Sequence, residues 1–357
     1  MSLLSHLPLW AEMLTFILCG AVIWIAGIYL SDATDVLSER LHLGQALGGL
    51  ILLAVATNLP EIAITYAAAS SGHLDVAVSN ILGGIAIQTV VLVALDGIAV
   101  RARRPLTYQV ASLTPVFEGA VVMAVLFAVV MGTQLPKTLV LFRLSPDVVL
   151  IAVIWILGLV LTQRATKGLP WKDRGPAPDP EPPRRGRSAN KAAQRANGRP
   201  KSTAQVGLVF GVAALATLVA GALAEESGAA AAAQVGLSGA LFGATVLAAA
   251  TALPELSTGI AATRQGDYKL AFGDIFGGNA FLPVLFVLAT VVSGKAVLPN
   301  AHPADLYLTG LAGLLTVVYL FGLLFRPTKQ YARLGIDSIA VLVLYVAGMI
   351  GLVALPH

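Results

Sequence analysis

The chain has 357 residues, 57% of them hydrophobic and only 12% charged, with a formal net charge of +4. So few charges cannot cover the surface of a soluble domain of this length, which makes the chain an integral membrane protein. One cysteine, Cys19, excludes an intrachain disulfide.

Runs of about 20 nearly uncharged residues predict membrane helices. They fall at roughly 9–31, 45–70, 75–99, 109–133, 146–164, 204–224, 237–262, 270–293, 305–325 and 335–354. No long alternating strands occur, so the expected fold class is an all-α membrane protein of ten transmembrane helices rather than a β-barrel. The first run lacks a basic leader and carries Glu12, and it is read as a retained helix rather than a signal peptide.

Residues 166–202 are rich in Pro, Gly and Arg and contain almost nothing to bury, which predicts a disordered basic linker. It divides the chain into five helices at 1–165 and five at 203–357. If the helices alternate across the bilayer, 20 of the 23 Lys and Arg fall on the linker side, leaving Lys137, Arg143 and Lys295 opposite. That bias places the linker in the cytoplasm and both termini outside an inner (plasma) membrane.

An offset of 194 lays the second half on the first. Thr57, Leu59, Pro60 and Glu61 meet Thr251, Leu253, Pro254 and Glu255, and Gly83 and Gly84 meet Gly277 and Gly278. Between 54–84 and 248–278, 13 of 31 positions are identical without a gap. The halves are a duplication, with repeat cores at about 45–99 and 237–293. Five helices per copy oblige the second copy to enter from the opposite side. Such inverted repeats build many secondary transporters, with the binding site at the repeat interface near the midplane.

Ala54, Thr57, Asn58 and Glu61 share one helical face, as do Ala248, Thr251, Ala252 and Glu255. Each motif proline has no N–H to donate, which frees a backbone carbonyl beside the carboxylate. Carboxylate, hydroxyl and carbonyl oxygens are the ligands that hard cations take. An ionised carboxylate at a helix centre costs about 2.5–3.5 kcal/mol, and two facing each other repel, so each needs a cation or a proton. The following helices carry SNILGGIAIQ (79–88) and GDIFGGNAFL (273–282). Their glycines admit a close neighbour, and Asn80, Gln88 and Asp274 are further candidate ligands.

The paired LPE motifs, each followed 19 residues later by Asn80 or Asp274 and then by Gly-Gly, resemble the alpha-repeats of the calcium:cation antiporter superfamily, which includes the sodium/calcium exchangers. The resemblance covers nearly everything but the linker. It implies an inverted-repeat bundle in which Glu61 and Glu255 bind the cation, with Thr57 and Thr251 beside them and Ala54 and Ala248 lending carbonyls. The family commonly has GTSxPE followed by GSNxxN or GSNxxD. Here Asn58 and Ala252 replace the motif serine, Gly84 and Gly278 replace the second, and Gln88 and Leu282 end the pattern. The implied activity is secondary active cation antiport by alternating access, with Ca²⁺, Na⁺ or H⁺ as substrates and no cofactor. Proton-coupled exchange of Na⁺, K⁺ or another cation, and a homologue that no longer transports, are the alternatives.

An intramembrane enzyme lacks support, because no P-loop, GxSxG or HExxH is present. The five histidines have no metal-binding spacing. Glu225 and Glu226 are expected at the solvated outer end of the sixth helix, and Glu118 near arginines. The expected partners are inorganic cations and membrane lipid, with no nucleic acid.

Overall fold

In the computed structural model, which describes residues 7–40, 54–100, 104–167 and 202–355, almost every element is a helix. Residues 45–53 of the second expected span, and nearly all of the 166–202 linker, lie outside the described residues. In the first half the helices are α1 (Leu9–Arg40), α2 (Leu59–Ser71), α3 (Leu74–Ala94), α4 (Leu106–Val110), α5 (Thr114–Gly132) and α6 (Pro146–Lys167). The second half begins with α7 (Thr203–Gln234), then α8 (Gly239–Phe242), a π-helical turn (Gly243–Leu247) and α9 (Ala248–Thr251). It continues through α10 (Leu253–Arg264), α11 (Tyr268–Phe281), α12 (Leu285–Ser293), α13 (Pro303–Phe325) and α14 (Ile336–Val353). A two-stranded hairpin, β1 (Gln330–Tyr331) and β2 (Leu334–Gly335), precedes α14.

Among the described residues, nine spans are long and apolar enough to cross a membrane. Local chemistry explains where their ends depart from expectation. The seventh helix continues ten residues past 224, because GAAAAAQ has high helix propensity although it is weakly hydrophobic. Its start is fixed by a capping box in which Ser202 Oγ accepts from Gln205 N (3.2 Å) and Gln205 Oε1 accepts from Ser202 N (2.9 Å). The run at 109–133 is two helices, α4 and α5, parted at Ala111, whose φ is 43°. Pro283 lies in a 3₁₀ turn (Leu282–Val284) between α11 and α12.

The LPE-containing and Gly-Gly-containing helices of each half form a tight hairpin. The first closes at Gly72 (φ 84°) and the second at Gly266 (φ 80°), positions 194 apart, where only glycine takes the left-handed turn without strain. The Gly-Gly helices are the most enclosed: an 18-residue stretch is 72% buried in the Leu74–Ala99 span and 67% buried in Tyr268–Ser293, against 28% in Thr203–Gln234. Large apolar side chains such as Trp10, Ile17, Phe127, Leu208 and Phe325 point outward, as hydrocarbon surroundings allow.

At the rim, α1 and α7 run beside each other, and each also packs on the LPE helix of the opposite half. The contacts are equivalent under the 194 offset. A Cβ on Gly27 would lie 2.8 Å from Pro254 Cβ, and one on Gly221 would lie 3.0 Å from Ala63 Cβ and 3.1 Å from the Pro60 carbonyl oxygen. Elsewhere, buried Asp96 ties three segments together. It accepts from Leu106 N (2.8 Å), Gly335 N (2.7 Å) and Ser338 Oγ (2.8 Å), joining the end of α3 to α4 and to the start of α14.

Removing that carboxylate strands two buried N–H groups. Asp96→Ala is therefore expected to destabilise by about 2–5 kcal/mol, read as a lowered unfolding midpoint of the detergent-solubilised protein; an unchanged midpoint would contradict the clasp. Gly27→Val and Gly221→Val push α1 and α7 off the motif prolines and should each cost about 1–3 kcal/mol in the same measurement.

Candidate cation-binding site

Both LPE motifs build the same local geometry. The helical run is broken at Asn58 (φ −90°, ψ 16°) and at Ala252 (φ −77°, ψ 0°), and a new helix starts with proline at its second position. Proline is tolerated there because first-turn N–H groups have no helical acceptor to lose. Glu61 and Glu255 thus fall in the first turns of α2 and α10, where the positive end of the helix favours a carboxylate.

The two glutamates are fully buried and come together across the halves. Gln88, from α3, lies between them: its Nε2 is 3.3 Å from Glu61 Oε1 and 3.5 Å from Glu255 Oε1. The threonines cross over, with Thr251 interacting with Glu61 and Thr57 with Glu255. Each carboxylate is therefore framed by its own helix and by the hydroxyl of the opposite repeat. The alanine carbonyls are also engaged. Ala54 O accepts from Asn58 Nδ2 (2.7 Å) and Thr57 Oγ1 (3.4 Å), and Ala248 O accepts from Thr251 Oγ1 (3.2 Å).

The side chains acting on the carboxylates are each other, Asp274, Gln88 and the two threonines, joined by the backbone N–H of each glutamate, and no basic side chain of the described residues is among them. Two buried acids without a base require a cation or protons for charge balance. Among the described residues no group of three His, Cys, Asp or Glu is arranged to hold a metal. A cation here would be held by two carboxylates completed by hydroxyl and amide oxygens.

Of the ten residues picked from the sequence, Glu61, Glu255, Thr57, Thr251, Gln88, Asn58, Ala54 and Ala248 make up this layer. Asp274 stands apart: it accepts a short hydrogen bond from Thr258, one turn beyond Glu255, and acts on Glu255 only through its charge. Asn80 is buried where α3 packs against Gly243, and no hydrogen bond links its side chain to either glutamate.

One expectation needs correction. Glu225 is not at a solvated helix end, because α7 continues past it; it is buried and pairs with His73 Nδ1 at 3.1 Å. Buried Glu118 is acted on by the charge of Lys269 from the other half, while residues 101–103, with two of the expected arginines, lie outside the described residues. Sequence reasoning missed Thr258, and it missed Thr89, which accepts from Asn279 Nδ2 (3.0 Å) and joins α3 to α11 beside Gln88. Neither threonine is marked by its spacing in the sequence, and only the pairing of helices singles them out.

The family model described as sodium/calcium exchanger protein matches residues 11–164 and 206–351, which takes in both halves and leaves out the linker. The chain is 28% identical over 291 residues to the putative antiporter CaxA of Alkalimonas amylolytica, covering 81% of this chain and 82% of that one. It is 26% identical over 309 residues to the inner membrane protein YrbG of Escherichia coli (strain K12), covering 84% and 85%. The fold is similar to that of the sodium-calcium exchanger NCX_Mj (TM-score 0.58, 16% identity, 98% of this chain and 100% of that one). It is also similar to that of the H⁺/Ca²⁺ exchanger CAX (TM-score 0.66, 13% identity, 99% and 83%). With nearly every described residue inside the matched ranges, the chain belongs to the sodium/calcium exchanger family.

Proposed function

We propose that this protein is a secondary active cation antiporter, built as two inverted five-helix repeats, that works by alternating access, with Glu61 and Glu255 together holding each exchanged cation in turn. The observation that carries this reading is the buried carboxylate pair itself, brought together by equivalent motifs from both halves and lacking a basic partner among the described residues. One divalent ion, two monovalent ions or protons each neutralise the pair, and they exclude one another because they satisfy the same charges. Exchange follows if the doubly charged pair cannot pass between inward-open and outward-open states. Thr57, Thr251, Gln88 and Asn58 complete the shell, and Ca²⁺, which takes 6–8 oxygen ligands, is the leading substrate, exchanged for Na⁺. The charge bias of the loops supports a cytoplasmic linker and external termini in an inner membrane.

A second reading, exchange driven by protons, is favoured by one feature. Asp274 adds a third buried acid whose charge acts on Glu255, and it accepts a hydrogen bond from the Thr258 hydroxyl.

Reconstitution in vesicles tests both. Uptake of Ca²⁺, Na⁺ and K⁺ is followed against opposing Na⁺ and H⁺ gradients, with Glu61→Gln and Glu255→Gln alongside. Each variant should lose transport by at least about 100-fold, since a charge-assisted ligand set is removed; equal flux in wild type and both variants would refute antiport. Asp274→Asn separates the two readings. It should abolish flux driven by a proton gradient if protons are the counter-ion, and leave sodium-driven flux within about threefold of wild type otherwise.

A further inference from the structure

A second pair of buried acids lies away from the glutamates. Asp96 stands eight residues past Gln88 in the same span, about 12 Å further along it, and Asp337 lies in the first turn of α14. The two converge on the end of the hairpin that precedes α14. Asp96 Oδ2 accepts from Gly335 N and Ser338 Oγ, while a Cβ on Gly335 would collide with Asp337 Oδ1 and one on Gly322 with Oδ2. Both acids are buried.

Their surroundings are unequal. Asp96 accepts three hydrogen bonds. The Thr107 hydroxyl of α4 and the N–H groups of Asp337 and Ser338 act on Asp337, but none reaches hydrogen-bonding geometry, so both Asp337 oxygens and Thr107 Oγ1 are buried without a partner. Ser338 Oγ and the Tyr319 hydroxyl, 3.2 Å apart and also buried, complete the group. Among the described residues no base offsets the two acids. Asp337 is the one charge acting on Asp96, and Arg333 of the hairpin gives its guanidinium to Val100 O (3.4 Å). Two buried acids without a base call for positive charge. Hard cations take carboxylate and hydroxyl oxygens, the atoms gathered here.

We propose that Asp337 and Asp96, with the hydroxyls of Thr107, Ser338 and Tyr319, form a second cation-binding site, separate from the glutamate pair, for a hard cation such as Na⁺ or Ca²⁺. Asp96, fixed by its three donors, supplies charge; Asp337 and Thr107 supply oxygens not already engaged. The other half has the frame without the pair. Arg143-Leu144-Ser145-Pro146-Asp147 matches Arg333-Leu334-Gly335-Ile336-Asp337 at an offset of 190, and Arg143 likewise donates to a carbonyl of the opposite half, Val291 O (3.2 Å). Thr290 stands 194 residues from Asp96, so buried Asp147 has no second acid at the equivalent position and serves as an internal control.

The test measures binding of radiolabelled Na⁺ and Ca²⁺ to the full-length purified protein carrying Glu61→Gln and Glu255→Gln together, with proton release followed in the same titration. That parent lacks the charge of the glutamate pair and should still bind a cation. Asp337→Asn, nearly isosteric, should weaken the remaining binding by about 100-fold and Thr107→Val by about tenfold. Asp147→Asn should leave it within about twofold of the parent. Thr107→Val, which keeps both acids, decides the matter if the asparagine variant does not fold. A parent that binds neither ion overturns the proposal, and so does binding that Asp337→Asn leaves within about twofold. A proton on Asp337 that neither ion displaces overturns it as well. If the parent binds both ions as wild type does and Asp337→Asn removes that binding, the glutamate reading fails while this site stands.

Discussion

Two carboxylates buried opposite each other at the centre of a helical bundle repel one another, and each loses its hydration. On the insertion scale an ionised acid at a helix centre costs about 2.5–3.5 kcal/mol, and here there are two, acted on by no basic side chain of the described residues. Much of the fold can be read as holding that unfavourable arrangement in place. The prolines of α2 and α10 break the helices so that Glu61 and Glu255 occupy first turns. Gly27 and Gly221 let α1 and α7 press on those prolines from the opposite half. Two hydroxyls, one side-chain amide and the glutamates' own backbone N–H groups supply the neutral polarity that reaches the carboxylates. What they lack in charge is what an exchanged cation would supply.

The duplication was legible because it lies in the identities themselves. Thr57 with Thr251, Pro60 with Pro254 and Glu61 with Glu255 recur at one spacing, and the structure gives both copies the same break, proline position and hairpin turn. A repeat states which residues are equivalent without stating which surfaces meet. That is why the crossing of Thr57 to Glu255 and of Thr251 to Glu61 required coordinates. The same holds for Asp96, Ser79 and Asp305. Each reads from the sequence as an ordinary residue near a helix end, yet Ser79 donates to Asp305 at 2.7 Å across 226 residues, and both are buried. Helix ends were misplaced where hydropathy and helix propensity disagree: the alanine-rich end of α7 is too weakly apolar to count as a span but remains helical, which carries buried Glu225 into the interior.

The two halves have kept some equivalences and abandoned others, and the division follows physical role. Positions that set backbone approach are the same in both: Gly27 and Gly221, Gly72 and Gly266, Gly84 and Gly278, Pro60 and Pro254. Beside the carboxylates the threonines Thr57 and Thr251 are kept, while other positions have diverged: Asn58 against Ala252, Gln88 against Leu282, and, further out, Asn80 against Asp274. A glycine at a close helix crossing tolerates no addition, since a Cβ on Gly83 would lie 2.5 Å from the Ala244 backbone. A ligand position tolerates exchange as long as volume is roughly kept, as between glutamine and leucine. Duplication therefore keeps a shared backbone framework in both halves while leaving the chemistry beside the glutamates free to differ. A transporter that loads one ion from one face and another from the opposite face has use for that inequality, because a perfectly symmetric site would meet both solutions with the same ligands and the same barrier.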